Sequence, residues 1–395
     1  MSSRTPNLRI ALIGCGQIAD AHLQEIRKID CAELVAVCDV HQDLADQAAA
    51  RFGVPRADSD LSAMLAEAKP DVVHVTTPAH THCELATRLL VSGVHVYVEK
   101  PLTVDFSEAE SLLETVTRTG KSLCLGHDQL FDPIWLRCRE LVDAGVIGEV
   151  SHVESVLGYP LSGQFGRQVT GNPDHWVRRL PGGLFQNTIS HPLYRITEYM
   201  QDTQPRVDAH WYAAGTATFP TEMVAHLRGK TVTGSLFFST RIQPQRISRV
   251  YGPKGGLEVD FDAQTIRVIR QSRLPGAFGK IEMPWRHWRE GASNLRHNLW
   301  RFLKSDIHYF AGMRTLFELY YRSILDGSSP PIAYDEMLRV TRVMDTMFRH
   351  CRVRTGAKRL AALSGASPRL SDRKANSQSE VDDLDEVISE TEQVS

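Results

Sequence analysis

Three short segments carry residue types that do chemistry together. The first is Gly14-Cys15-Gly16-Gln17-Ile18-Ala19, a GxGxxA turn. Gly14 permits the tight turn, Gly16 lets backbone approach a pyrophosphate at a helix N-terminus, and Ala19 allows close helix–sheet packing. Asp39 closes the next apolar run, where a carboxylate accepts hydrogen bonds from a ribose 2′-hydroxyl and repels a 2′-phosphate. Val40 and His41 follow it rather than an arginine, which favours NAD over NADP. The second segment is Val98-Glu99-Lys100-Pro101, a strand end whose lysine points at the crevice where such folds bind ligands. An amine there suits a proton donor. The third is Pro181-Gly182-Gly183 followed by Asn187 and His191. Paired glycines allow close approach to a ligand, and on a helix the i, i+4 spacing puts Asn187 and His191 on one face.

A polar stretch before the glycine pair offers substrate groups: Asn172, Asp174, His175, Trp176, Arg178 and Arg179. Trp176 with His175 suits a sugar, a flat face to stack on with hydrogen-bonding groups at the rim. Arg178, Arg179 or Arg167 suits a phosphate or carboxylate. Tyr159 and Gln129 are further candidates. His80 and His82 lack a third ligand set, so a metal is not expected.

The elements that must position these groups follow from the apolar pattern. Apolar runs at Leu8–Ile13, Glu33–Cys38, Val72–Val75, Val94–Val98 and Ser122–Leu125 alternate with amphipathic stretches such as Ala19–Ile29 and His82–Leu90. Strands alternating with helices mean crossovers and a parallel sheet covered on both faces. A helix over Pro133–Asp143 follows. From Glu149 to about Ile269 strict alternation predicts a mainly antiparallel sheet with one or two inserted helices, one near His191–Met200. Two late helices are expected, Phe310–Leu325 and Tyr334–Cys351. The fold class is therefore α/β. Residues 1–127 are expected to form a parallel-sheet α/β domain and 128–364 a second α/β domain with a mainly antiparallel sheet. Residues 365–395 read as a disordered acidic tail.

The chain has 395 residues, with 45 Lys and Arg against 47 Asp and Glu. Seven acids and no base fall between Ala375 and Ser395, so the rest carries a small, scattered positive surplus that does not argue for nucleic acid. No apolar run approaches the roughly 18 residues of a membrane span, and no signal peptide is indicated. Cysteines 15, 31, 38, 83, 124, 138 and 351 are odd in number and form no CxxC pair, which reads as reduced thiols in a cytoplasmic protein.

Together the motifs resemble the Gfo/Idh/MocA oxidoreductase family over about residues 7 to 350, with GCGQIA at 14–19, Glu99-Lys100-Pro101, and the Gly-Gly…Asn…His run at 182–191. Thr77-Pro78-Ala79-His80-Thr81-His82 is similar to the family's loop over the cofactor. The resemblance implies Lys100 as catalytic lysine and His191 as proton-transfer histidine. It implies NAD binding at Gly14, Gly16, Gln17, Ile18, Ala19, Asp39, Thr77, Pro78, His82, Glu99 and Lys100. It also implies that residues 1–127 are a Rossmann domain and that the second domain's sheet is open and packs against other subunits, giving a homodimer or homotetramer. One departure stands out: the family carries an Asp four residues before the histidine, and here the residue is Asn187. A neutral amide orients an imidazole without raising its basicity, or else contacts substrate directly. The expected activity is hydride transfer between NAD and a hydroxyl or keto carbon of a sugar, an inositol or a nucleotide-linked sugar. The expected substrate contacts are Lys100, His175, Trp176, Arg178, Asn187 and His191. The alternative is a non-catalytic regulator of the same fold that senses NAD(P), since fold alone does not fix function.

Overall fold

The computed structural model describes residues 7–304 and 307–363. The chain forms two compact units, residues 1–348 and 349–395. Both sheets lie in the first. In the second, the described residues 349–363 are helical. The acidic tail lies outside the described residues.

The first sheet contains β1 (Leu8–Ile13), β2 (Ala32–Cys38), β3 (Ala57–Asp58), β4 (Val72–Val75), β5 (His95–Val98) and β6 (Leu123–Leu125). All pair in parallel in the order β3-β2-β1-β4-β5-β6, the doubly wound arrangement that binds dinucleotides where the order reverses beside β1. The central strands are buried on both faces, as their continuous apolar runs require. The crossovers carry α1 (Gln17–Ile26), α2 (Gln42–Phe52), α3 (Leu61–Ala68), α4 (His82–Val91) and α5 (Phe106–Thr119). Asp105 caps α5 by accepting from the Glu108 N–H, and Gly120 ends it in the left-handed conformation at φ 65°.

A 3-10 turn, Asp128–Phe131, leads from β6 to α6 (Pro133–Asp143), where Asp132 caps and Pro133 opens the helix. Then come β7 (His152–Gly158) and four short helices: α7 (Gln164–Gly171), α8 (Trp176–Arg179), α9 (Leu184–Thr188) and α10 (Ser190–Thr197). The strands β8 (Arg206–Tyr212), β9 (Glu222–Arg228), β10 (Thr233–Ser239), β11 (Gln245–Gly252), β12 (Gly255–Asp260) and β13 (Thr265–Ile269) complete a second sheet. Its order is β13-β12-β11-β7-β10-β9-β8, antiparallel except for the central β7–β10 pair. One face buries Val153, Leu157, Leu236, Phe238 and Val250. Gly234 brings α10 close to that face, since a Cβ there would overlap Ile196. The opposite face carries charged ladders such as Arg249 with Glu154 and Glu258.

Three late helices follow: α11 (Gly276–Leu303), α12 (Ala311–Asp326) and α13 (Tyr334–Leu363). The sequence pattern did not predict α11. It contains Pro284, Gly279 and Gly291, and much of its apolar surface faces outward, so no single buried stripe marks it. By contrast α12 packs into the first sheet's layer through Phe317, which touches His22, His74, Tyr97 and Tyr321.

Candidate active site

The glycine turn follows β1 with Gly14 at φ 94°, where a Cβ would sit 2.7 Å from the Thr77 methyl. Thr76 pins the turn by donating to the Ile13 and Gly14 carbonyls. Gly16 starts α1 with open space where a side chain would be and with no side-chain cap on the helix N–H groups. Those N–H groups and that gap form a cradle for a pyrophosphate. Gln17 is exposed on the same turn, and Ala19 is fully buried against the sheet. Asp39 is half-buried at the end of β2, and its carboxylate accepts from the Cys15 N–H (2.8 Å) and the His41 N–H (2.9 Å). That fixes it against the glycine turn with lone pairs left for ribose hydroxyls. The residues present therefore fit a nicotinamide dinucleotide.

Thr77 and exposed Pro78 border the same turn, Thr77 being hydrogen-bonded to Thr81 at 2.6 Å. His82 is buried, with Nδ1 2.8 Å from the Pro101 carbonyl and Nε2 2.9 Å from the Thr77 carbonyl. Burial lowers its pKa, and in the neutral form one of these nitrogens donates, bracing the loop after β4 against the one after β5.

Lys100, Asn187 and His191 line one cavity of about 180 Å³. Ile18 and Glu99 border it, as do Gln129 and Tyr159. The Lys100 Nζ donates to the Asn187 carbonyl at 3.0 Å, which joins the end of β5 to α9. Glu99 accepts from His22 at 2.9 Å, and its other oxygen accepts from the Lys100 N–H at 3.2 Å. Burial alone would raise the Glu99 pKa, but His22 and Lys100 outweigh it and hold the carboxyl below its usual range. From His22 the chain of contacts runs on to His74 (3.0 Å) and Tyr321 (2.8 Å).

His191 sits on α10 with Nδ1 2.8 Å from the Tyr194 hydroxyl. That leaves Nε2 to face the cavity. Burial, reinforced by Lys100, Arg195 and Arg246, pushes its pKa well below the ordinary imidazole value. Asn187 shares the cavity with His191 but makes no side-chain hydrogen bond to it.

Two charged cavity residues escaped the sequence reading. Asp128, the first residue after the β6 turn, lies 3.9 Å from His191 Nδ1. Its only signal was its place beyond the carboxyl end of a parallel strand. Arg246, the second residue of β11, is 7% exposed, with Nε on Asp262 (2.8 Å) and its guanidinium 4.0 Å from the Tyr309 ring centroid. In an alternating strand an arginine reads as a solvent-facing position, so the sequence gave no pointer to it.

The proposed sugar-binding loop does not reach this cavity. His175 caps α8, and Trp176 lies 6.3 Å from the His80 ring. Arg178 donates to Thr218 (3.0 Å) and covers Phe219. In the glycine pair, a Cβ on Gly182 would overlap the Phe348 ring, while Gly183 takes φ 53° with open space where a side chain would be. Among the described residues no group of three or more His, Cys, Asp or Glu is placed to hold a metal. None of the described helices is long and apolar enough to cross a membrane.

Comparison with known proteins agrees with this architecture. Residues 8–127 match the oxidoreductase family, NAD-binding Rossmann fold, and residues 135–258 the GFO/IDH/MocA C-terminal domain. Myo-inositol 2-dehydrogenase of Thermotoga maritima is 30% identical over 274 residues, 66% of this chain and 78% of that protein. Inositol 2-dehydrogenase of Rhizobium meliloti is 30% identical over 184 residues, 47% of this chain; the match spans about half of that relative, 52%. The WlbA dehydrogenase of Bordetella pertussis, solved with NADH and UDP-GlcNAcA, shares the fold at TM-score 0.72 and 20% identity, over 88% of this chain and 96% of that one. With a relative matched at that identity over most of its length, and with both domain types matched in order, the chain belongs to the GFO/IDH/MocA oxidoreductase family and carries its NAD-binding Rossmann fold.

Proposed function

We propose that the protein is an NAD-dependent dehydrogenase acting on a hydroxyl or keto carbon of a sugar, an inositol or a nucleotide-linked sugar. One observation carries this reading: an amine, Lys100 Nζ, and an imidazole, His191, converge on one cavity beside Ile18 of the glycine turn. Residues 1–127 then serve as the cofactor domain and residues 128–364 as the substrate domain. Gly14, Gly16, Gln17 and Ala19 would hold the pyrophosphate, Asp39 the ribose, and Ile18, Thr77 and Pro78 the nicotinamide side. Bound NAD supplies the hydride acceptor or donor.

The chain's own residues handle the oxygen and its proton. Lys100 donates a hydrogen bond to the substrate oxygen and stabilises negative charge that develops there. Its bond to the Asn187 carbonyl holds the amine in place while other N–H bonds stay open for substrate. His191, neutral because burial disfavours its charged form, is ready to accept a proton during alcohol oxidation.

The test is the near-ultraviolet absorbance of reduced nicotinamide. NAD⁺ with inositols and aldoses, and NADH with free and nucleotide-linked keto-sugars, should give a change with one class. NADH binding without turnover of any class would favour a sensing role instead.

The same reading includes a homodimer or homotetramer, in the cytoplasm, with a second copy covering α11. Phe278, Ile281, Trp285, Trp288, Phe302 and Leu303 on that helix are each more than half exposed, and Trp285 stacks on Trp288 at 4.9 Å. An apolar patch this dense is costly in water and matches the face of an obligate partner. Trp285→Glu should shift the mass measured by light scattering toward the monomer. An unchanged mass would place the interface elsewhere.

A further inference from the structure

The family's acid is missing four residues before His191, yet an acid from another element faces the same imidazole. Asp128 lies on the turn after β6, whereas His191 and Tyr194 share α10. Tyr194 Oη sits between them, 2.8 Å from His191 Nδ1 and 3.5 Å from Asp128 Oδ1. It also accepts from the Gln129 N–H at 3.2 Å, so its own proton is free to point onward to Asp128 or His191. Among the described residues the Asp128 carboxylate has no other hydrogen-bond partner. We propose that Asp128 is the proton store of this site, reached from His191 through Tyr194. The inference deepens the dehydrogenase reading and rests on it.

The groups around Asp128 decide where a proton rests. Glu99 and Lys100 face it from the end of β5, Arg246 from β11, Tyr309 from before α12, His191 and Tyr194 from α10, and Asp132 from its own turn. Burial first, then Glu99 and Asp132, favour the neutral acid; Lys100 and Arg246 oppose it, and the balance places the Asp128 carboxyl at about 7. His191 meets the opposite field, because burial and the cations Lys100, Arg195 and Arg246 all disfavour imidazolium. A proton arriving at His191 is therefore held better one step further in.

The step balances without a further reactant. In alcohol oxidation the substrate O–H bond breaks and Nε2 of His191 takes the proton, while the hydride goes to the dinucleotide already named. The Nδ1–H proton then passes to Tyr194 Oη as the Tyr194 hydroxyl proton passes to Asp128 Oδ1. His191 ends neutral in its other tautomer, Tyr194 is unchanged, and Asp128 is a carboxylic acid. Ketone reduction runs the same path in reverse. Asp128 acts through its neighbours, so it is a positioning residue for the proton.

The full-length protein, Asp128→Asn and Tyr194→Phe test this with two readouts. In an infrared pH titration without cofactor, wild type should show a carboxylic-acid carbonyl band that fades as pH rises through about 7. Glu336 also lies at about 7, so the band is assigned by the difference between wild type and Asp128→Asn. Tyr194→Phe should keep the Asp128 band. In the second readout, alcohol oxidation by wild type should rise through the same pH. Both variants should lose that limb, with kcat down by roughly 10²-fold. Wild-type kcat and an unchanged limb in Asp128→Asn overturn the proposal, as does an identical infrared difference spectrum. If Asp128→Asn does not fold, an unchanged limb in Tyr194→Phe overturns it equally. Absence of turnover in wild type defeats the dehydrogenase reading instead, and the infrared result still tells whether Asp128 holds a proton near neutrality.

Discussion

Replacing Lys100 by alanine should lower kcat for hydride transfer by roughly 10²–10⁴-fold while NADH binding stays within a few-fold of wild type. The asymmetry follows from position. The Lys100 amine bonds the Asn187 carbonyl on the cavity wall, whereas the residues fitted to the pyrophosphate and ribose sit on the turn after β1 and at the end of β2. Loss of the amine removes a hydrogen bond that strengthens as the substrate oxygen gains charge, and such bonds count in the transition state. Fluorescence titration with NADH, run beside steady-state kinetics, checks both halves. A variant that no longer binds NADH would make the lysine part of the cofactor site; one that keeps wild-type turnover would remove it from the chemistry.

The second large effect concerns stability. Phe317→Ala should lower the unfolding free energy by about 3–5 kcal/mol, the cost of deleting a buried aromatic ring whose surroundings relax only in part. Phe317 is fully buried, with ring centroids at 5.0 Å from His22, 4.7 Å from His74 and 4.9 Å from Tyr97. Two of those rings, His22 and His74, belong to the hydrogen-bonded chain that ends on Glu99, beside Lys100. Urea denaturation measures the loss through the midpoint at unchanged slope. A loss below about 1 kcal/mol would show that α12 is seated by other contacts.

The parallel sheet was legible because its strands are buried on both faces and so read as unbroken apolar runs between helical patterns. Lys100 and Asn187 were legible for a different reason: a strand end and a glycine-led helix start restrict where a polar side chain points, and His191 follows on the next helix, α10. Asp128 and Arg246 were not. Each belongs to the cavity only because segments more than a hundred residues apart converge there, and no local periodicity records that. That His175, Trp176 and Arg178 lie outside this cavity was hidden for the same reason. A loop's composition suits a sugar whichever way the loop faces, and this one faces Thr218 and His80. The bracing contact of His82 with the Pro101 and Thr77 carbonyls was likewise beyond what a loop's composition records.

The central place of β7 has a kinetic consequence. It is the first strand of its sheet to leave the ribosome, yet its two neighbours are β10, from Thr233, and β11, from Gln245. At the usual pace of about 5–20 residues per second, β7 waits roughly 4–15 s with both edges unpaired. A half-apolar strand open on two sides is a template for wrong partners, and pairing across so long a stretch of chain is slow once it begins. Folding yield in this protein should therefore depend on temperature and chaperone supply during synthesis more than the stability of the finished sheet suggests.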